Sequence, residues 1–246
     1  MYKKPGQVRS MGSYRAATDS GLSIVTDGLQ LYLNADNPAS YPGSGTTWTD
    51  LSVNGYATTL VGSPTFDTNY FSFDGTTEYV DTNQSLAAEE FSVGAWFKTS
   101  AVGIKMILSK ESLAGWPWNY RIWLNGGQIV GDIAQSGASS RNINSVLSNY
   151  NNGSWYLVMY TRSTATQWLY VNGVQVNTAV GSFPSGTISN AQELWIGRSA
   201  YQQGGASPTG SYQYTGDISQ VFIYNRVLSA AEILQNFDAT KSTYGL

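Results

Sequence analysis

The chain has 246 residues, of which 41% are hydrophobic, 13% aromatic and 12% charged, whereas an average domain is about 25% charged. It contains no Cys and no His, which excludes disulfides, thiolate nucleophiles, Cys-based zinc sites, Ser-His-Asp triads and HExxH metalloproteases. Any acid–base chemistry would fall to carboxylates, Lys or Tyr.

Abundant aromatic and β-branched residues mark a folded chain, kept soluble by neutral polar groups. The lack of Cys fits assembly in a reducing cytoplasm. No run of about 18 apolar residues is present, so no segment reads as a membrane-spanning helix. The N-terminal MYKKPGQVRSMGSYRAATDSG lacks the apolar stretch of a secretory signal. Formal net charge is −3, unevenly spread: Lys3, Lys4, Arg9 and Arg15 stand against Asp19 in residues 1–26, and the remainder is acidic. Such an arm reads either as a dock for an acidic neighbour, another copy included, or as a solvated tail. It is too sparse, and the rest too acidic, for nucleic-acid binding.

From Asp27 onward short strands follow one another with turn residues between them. LQLYLNA (29–35) opens the series, and NPASYPGSGTTW (37–48) reads as a loop. ATTLVG (57–62), YFSF (70–73) and EYVDT (78–82) follow. In FSVGAWFKT (91–99) Phe91, Val93, Ala95 and Phe97 share one face, which predicts a core on that side. NYRIWLNGGQIVGDI (119–133) reads as two strands joined around Asn125-Gly126-Gly127, and WYLVMYTR (155–162) as another strand. QWLYVNGVQVN (167–177) predicts a hairpin on a type I′ turn at Asn172-Gly173. That register sets Val171 opposite Val174 and Leu169 opposite Val176. Together these elements predict an all-β fold of two antiparallel sheets packed face to face.

The C-terminal stretch GDISQVFIYNRVLSAAEILQNFDATK (216–241) adds one helix. Ser229 and Glu232 form a capping box, with Leu228 and Ile233 placed as a hydrophobic staple. Ile233, Leu234 and Phe237 supply a short apolar stripe. The preceding strand, Ile218 to Tyr224, is apolar at both parities near its end, as expected if both its faces are covered, so the helix is read as closing over sandwich edge or core that the sheets leave open.

The spaced elements DGLQLYLNADNPASYPGSGTTWTDLSVNG, YFSFDGTTEYVDT, FSVGAWFK, LYVNGVQV, LWIGR and GDISQVFIYNRVLSAAEI resemble a laminin-G-like domain of the concanavalin-A-like jelly-roll group. The ending is similar to IYNRxLSxxEIxQNxxATK in virion proteins of tailed bacteriophages. The resemblance covers about Asp27 to Thr240 and implies a jelly-roll β-sandwich (27–240) between an N-terminal arm (1–26) and a C-terminal tail (241–246). It further implies a binding role toward carbohydrate or protein, often with one structural Ca2+. Asp74 matches the family's FDG element. Where relatives read G-x-I-D-E-V, this chain has Ser219 at the Asp position, which leaves Asp74 and Asp217 as the candidate calcium ligands. The alternative is that Asp74 braces its turn and Asp217 is solvated.

Glycosidases of the same fold group carry E-x-D-x-x-E on one strand, and none of the six Glu here has Asp two residues later. Aromatics give a binding reading. Trp116, Trp118 and Tyr120 cluster in AGWPWNYR, and Tyr201, Tyr212 and Tyr214 in AYQQGGASPTGSYQYTG. Such rings stack on the apolar faces of sugars. The competing reading puts Trp118 and Trp123 in the core and leaves the tyrosines as surface decoration. The expected protein is a non-enzymatic virion component, homo-oligomeric, whose partners are other virion proteins, its own copies and host-surface glycan. A lectin or adhesin with no assembly role is the alternative.

Overall fold

The computed structural model describes residues 22–86, 88–111, 118–134, 141–181, 193–199 and 212–246. Its strands form two eight-stranded sheets, and all the pairings are antiparallel. In chain order the first sheet contains β1 (Leu29–Asn34), β4 (Thr65–Asp67), β5 (Tyr70–Asp74), β7 (Phe91–Lys98), β12 (Trp155–Arg162), β13 (Thr166–Val171), β14 (Val174–Val180) and β16 (Thr215–Tyr224). The second contains β2 (Thr47–Thr49), β3 (Ala57–Val61), β6 (Tyr79–Asp81), β8 (Ile104–Glu111), β9 (Trp118–Asn125), β10 (Gln128–Ile133), β11 (Arg141–Asn144) and β15 (Trp195–Ile196).

The core between the sheets follows from strand alternation. Phe91, Val93, Ala95 and Phe97 of β7 face Ile107 and Leu108 of β8 and Ile122 and Leu124 of β9 within one buried cluster. Gly94 of β7 is set by close approach: a Cβ there would lie 2.2 Å from Val158 O on β12. The other face of β7 is covered too. Trp96 belongs to a second buried cluster with Phe222, Tyr224, Leu228 and Ile233.

That second cluster exists because helix α1 (Ala230–Thr240) packs on the outer face of the first sheet. Its capping box is formed: Ser229 N–H donates to Glu232 Oε2 (2.8 Å) and Glu232 N–H to Ser229 Oγ (3.3 Å). Arg226 clamps the same carboxylate, with Nη2 2.6 Å from Oε1. Leu228 and Ile233 are both buried, as the staple requires, whereas Leu234 is 45% exposed, so the apolar stripe narrows to Ile233 and Phe237. Residues 241–244 continue as a 3-10 turn whose Tyr244 stacks on Trp96 and donates its hydroxyl to Ser219 Oγ (2.8 Å).

Both hairpin turns read from the sequence are present. Asn172 and Gly173 have φ of 50° and 78°, and Gly126 and Gly127 of 57° and 87°, the paired positive values that a type I′ turn needs. The β13–β14 register departs from expectation. Val171 pairs with Val174, but a bulge after Leu169 sets Asn177, not Val176, opposite Leu169. The extra residue turns the Asn177 amide toward the second sheet, where it donates to Asn144 O (2.7 Å) and ties the two sheet edges together.

Near the N-terminal side of β1, the peptide of Val25 is held at both its polar atoms. Its N–H donates to Asn236 Oδ1 (2.8 Å) and its carbonyl accepts from the Tyr224 hydroxyl (2.9 Å), while Asn236 Nδ2 donates to that same hydroxyl (3.0 Å).

Candidate functional site

The outer face of the second sheet carries the most unusual side chains. Alternation on β9 sends Tyr120, Ile122 and Leu124 into the core and leaves Arg121 and Trp123 outside. On β10 the residues opposite them are Asp132 and Val130, and on β8 Ser109 and Met106. Arg121 Nη1 donates to Glu111 Oε1 (2.8 Å) and Nη2 to Asp132 Oδ2, so one guanidinium bridges two buried carboxylates. Ser199 adds a hydroxyl donor to Glu111. Met106, Arg121, Trp123, Ile104 and Tyr212 surround a hollow of about 170 Å³. The main-chain carbonyl of Tyr212 accepts from Met106 N–H (2.9 Å), which fixes Tyr212 at the rim.

Two strands away lies a second aromatic platform, a buried one in which Tyr79 and Trp195 are each 8% exposed. Trp195 of β15 and Tyr79 of β6 pack with ring centroids 5.1 Å apart, and the Arg198 guanidinium sits 4.6 Å from the Tyr79 ring and 5.4 Å from the Trp195 ring. Trp195 pairs with Ser109, which pairs with Arg121, so it stands two strands over and two residues along from Trp123, roughly 12 Å by strand spacing and rise. Burial pushes the Tyr79 hydroxyl pKa up. Burial, and then the charge of Asp81, raise the Glu193 carboxyl at the edge of this platform.

This face also has unfilled hydrogen-bonding capacity. The indole N–H groups of Trp123 and Trp195, the Nε–H of Arg198 and the amide oxygen of Gln213 are shielded from solvent with no partner among the described residues. Three of these are donors and one an acceptor, and an orphaned buried polar group costs about 1–3 kcal/mol; such atoms also occur in the core, at Trp48 Nε1 and the Tyr160 hydroxyl, so they do not by themselves single out this face.

The sequence-derived candidates divide sharply. Tyr212 joins the hollow, and Trp118 begins β9. Trp116 and Tyr201 lie outside the described residues, as do Lys3, Lys4, Arg9 and Arg15. Tyr120 and Tyr214 are corrections: their exposures are 1% and 0%, so neither ring offers a face to a sugar. Tyr120 packs on Phe91 and donates to Leu86 O (2.7 Å); Tyr214 donates to Lys98 O (3.0 Å). Strand parity takes both inward. Trp123, assigned to the core by one sequence reading, is outside.

Asp74 accepts from Thr76 N–H (2.8 Å) and Thr76 Oγ1 (2.5 Å), and these bonds hold its carboxyl pKa low. Asp217 pairs with Lys98 (2.8 Å) and accepts from Ser72 Oγ (2.6 Å). Among the described residues, no three Asp or Glu side chains converge as a metal cluster would require.

The family profile described as the concanavalin A-like lectin/glucanases superfamily, of laminin-G type, matches residues 74–234, more than half of the chain. The chain belongs to this superfamily. No curated protein matches the sequence. Among solved structures, this laminin-G-like chain is similar to botulinum neurotoxin type C, in a structure reporting that cell entry depends on two ganglioside molecules. The TM-score is 0.64 and the identity 15%, over 87% of this chain and 51% of that one. It is also similar to the binding domain of botulinum neurotoxin DC in complex with rat synaptotagmin II (TM-score 0.63, 15% identity, 87% and 52% covered). The receptor-binding domain of type G gives a TM-score of 0.62 at 15% identity, with 86% and 51% covered. The laminin-G-like chain thus spans about half the length of these structures, and at such identity the likeness is one of fold.

Proposed function

We propose that this laminin-G-like protein is a non-enzymatic glycan-binding component that grips a neutral sugar on the outer face of the second sheet. The observation that carries this reading is the half-buried Trp123, with the Arg121 guanidinium against its ring, beside the hollow that Tyr212 rims. The open part of such a ring covers the C–H face of a sugar, while polar groups at the rim meet its hydroxyls. The carboxylates of Glu111 and Asp132 favour binding over turnover. A glycosidase needs one protonated acid and one carboxylate open to the scissile bond, and both of these are buried against Arg121. The glycan-binding and receptor-binding relatives of the same fold support the reading by analogy only.

A place in a virion, with other virion proteins and further copies as partners, belongs to the same proposal. It rests on the likeness of the ending IYNRVLSAAEILQNFDATK to phage virion proteins and on the basic residues Lys3, Lys4, Arg9 and Arg15. A calcium ion on Asp74 and Asp217 would have to displace Lys98 and open the Asp74 turn. A melting temperature raised by calcium and lowered by chelator would establish it.

The test is a glycan array and host-cell binding assay with the wild type, Trp123→Ala and Tyr212→Ala. Binding by the wild type that falls at least tenfold in both variants, with melting curves unchanged, is the expected result. A wild type that captures no glycan removes the proposal.

A further inference from the structure

A separate hollow lies at one end of the sandwich, where the chain crosses from β6 in the second sheet to β7 in the first. Its volume is about 210 Å³, and it lies between the sheets rather than on the glycan face. Leu86, Ala88, Phe91 and Ile223 give it apolar walls, Gln30 and Asn225 contribute amides, and among the described residues no charged side chain lines it.

Its roof is held from three strands. Lys110 Nζ on β8 donates to Ser85 Oγ (2.9 Å), the Tyr120 hydroxyl on β9 to Leu86 O (2.7 Å), and Arg162 Nη1 on β12 to Glu89 O. Lys110 and Arg162 have no exposure at all. Burying an ammonium and a guanidinium is costly, and a sandwich end that needed only closing could be filled by larger apolar residues. Here Ala88 is small and the space beneath it stays open, while the cations fix the roof above that space.

We propose that this hollow is a binding site for an uncharged six-membered-ring molecule with an apolar face and one or two hydroxyl or amide groups. Size sets the class: an engineered cavity of about 150 Å³ holds benzene, so about 210 Å³ leaves room for a ring and a polar substituent. The half-buried Leu86 and Ala88 meet the faces of the ring, Phe91 and Ile223 form the closed floor within NOE reach beneath it, and the amides of Gln30 and Asn225 meet its polar edge. The uncharged lining makes a carboxylate or ammonium ligand unfavourable, because its lost hydration is not replaced.

The experiment titrates phenol, cyclohexanol and methyl glucopyranoside at millimolar concentration into the full chain, following ligand-to-protein NOEs. The expected result is NOEs from one or more of these rings to Ile223 and Phe91, and at least tenfold weaker binding in Ala88→Leu, which fills the space. Trp123→Ala on the glycan face should leave this binding unchanged, so failure here and failure of the glycan proposal are distinguishable. If Ala88→Leu does not fold, Asn225→Ala replaces it, with at least threefold weaker binding of the hydroxylated probes expected. Absence of NOEs to Ile223 and Phe91 in the wild type, or binding untouched by the variant used, overturns the proposal.

Discussion

The indole of Trp96 lies against the ring of Tyr244 with centroids 4.0 Å apart and planes 28° apart. Its Nε1–H donates to Thr240 Oγ1 (2.9 Å), and Phe237 stacks beside it at 5.7 Å. A central strand of the first sheet and the last turn of the chain are therefore one packed unit.

Trp96→Ala is expected to cost about 3–5 kcal/mol, the usual price of deleting a buried large aromatic. Tyr244→Ala removes only the cap of that stack and should cost about 1–2 kcal/mol. Urea unfolding measures both. A loss below about 1 kcal/mol for Trp96→Ala would show that helix α1 is not part of the cooperative fold.

Glu232 gives a pH dependence at the acid end. The Arg226 guanidinium, and then the Ser229 N–H and hydroxyl, hold its carboxyl down to about 2. A carboxyl depressed in the folded state adds stability that is complete above its ordinary pKa near 4.5 and is lost as pH falls toward 2. Helix α1 should thus keep its cap at pH 4 and loosen below pH 3, by about 1 kcal/mol given the site's exposure. In Glu232→Gln the amide protons of residues 230–233 should exchange faster at neutral pH, and their acid dependence should flatten.

Removing Arg121 should be more damaging than removing any single aromatic on the outer face of the second sheet. Arg121→Met leaves Glu111 and Asp132 buried without their shared cation, a loss of about 3–5 kcal/mol. Arg121→Lys, which keeps a cation at this position, should recover part of that loss, as read from urea midpoints. Equal losses in Arg121→Met and Arg121→Lys would mean that the guanidinium's shape and packing, not its charge, is the role of Arg121.

Lys110 shapes the alkaline side. Burial lowers its ammonium to about 8 from an ordinary 10.5. Between those values the unfolded chain holds a proton that the folded chain has released, so this group makes stability rise with pH across that window. Below pH 8 both states are protonated, and the full burial cost of the charge is felt. Lys110→Met should abolish the rise between pH 8 and pH 10, as read from urea midpoints.

These contrasts show what the sequence could tell in advance. The capping box, the staple and both Gly-containing hairpin turns are local, so residues 229–232, 172–173 and 126–127 disclosed them directly. β8, with its Ile107-Leu108 run, was missed because a strand covered on both faces and bent by two bulges has no clean alternation. The Asn177 register was missed for the same reason, since a bulge answers to a neighbouring strand. On the outer face of the second sheet, the parity of Arg121 and Trp123 against Ile122 and Leu124 was legible in NYRIWLN. That Trp195, Arg198 and Tyr79 lie in the same face was not, because strand order across the sheet is set by tertiary pairing. Tyr120 and Tyr214 misled because their clusters suggested exposed loops, where the parity of β9 and the approach to β16 bury them.

The Val25–Asn236–Tyr224 triangle has a mechanical meaning. Tension applied at residue 22 passes through a peptide clamped at both its polar atoms into Tyr224 of β16, a strand bonded to β7 on one side and to β1 and β5 on the other. Such a pull loads rows of main-chain bonds together instead of peeling an edge strand away one bond at a time. A particle or surface tethered through this end would therefore strain the most heavily bonded strand of the sandwich first and its outlying strands last.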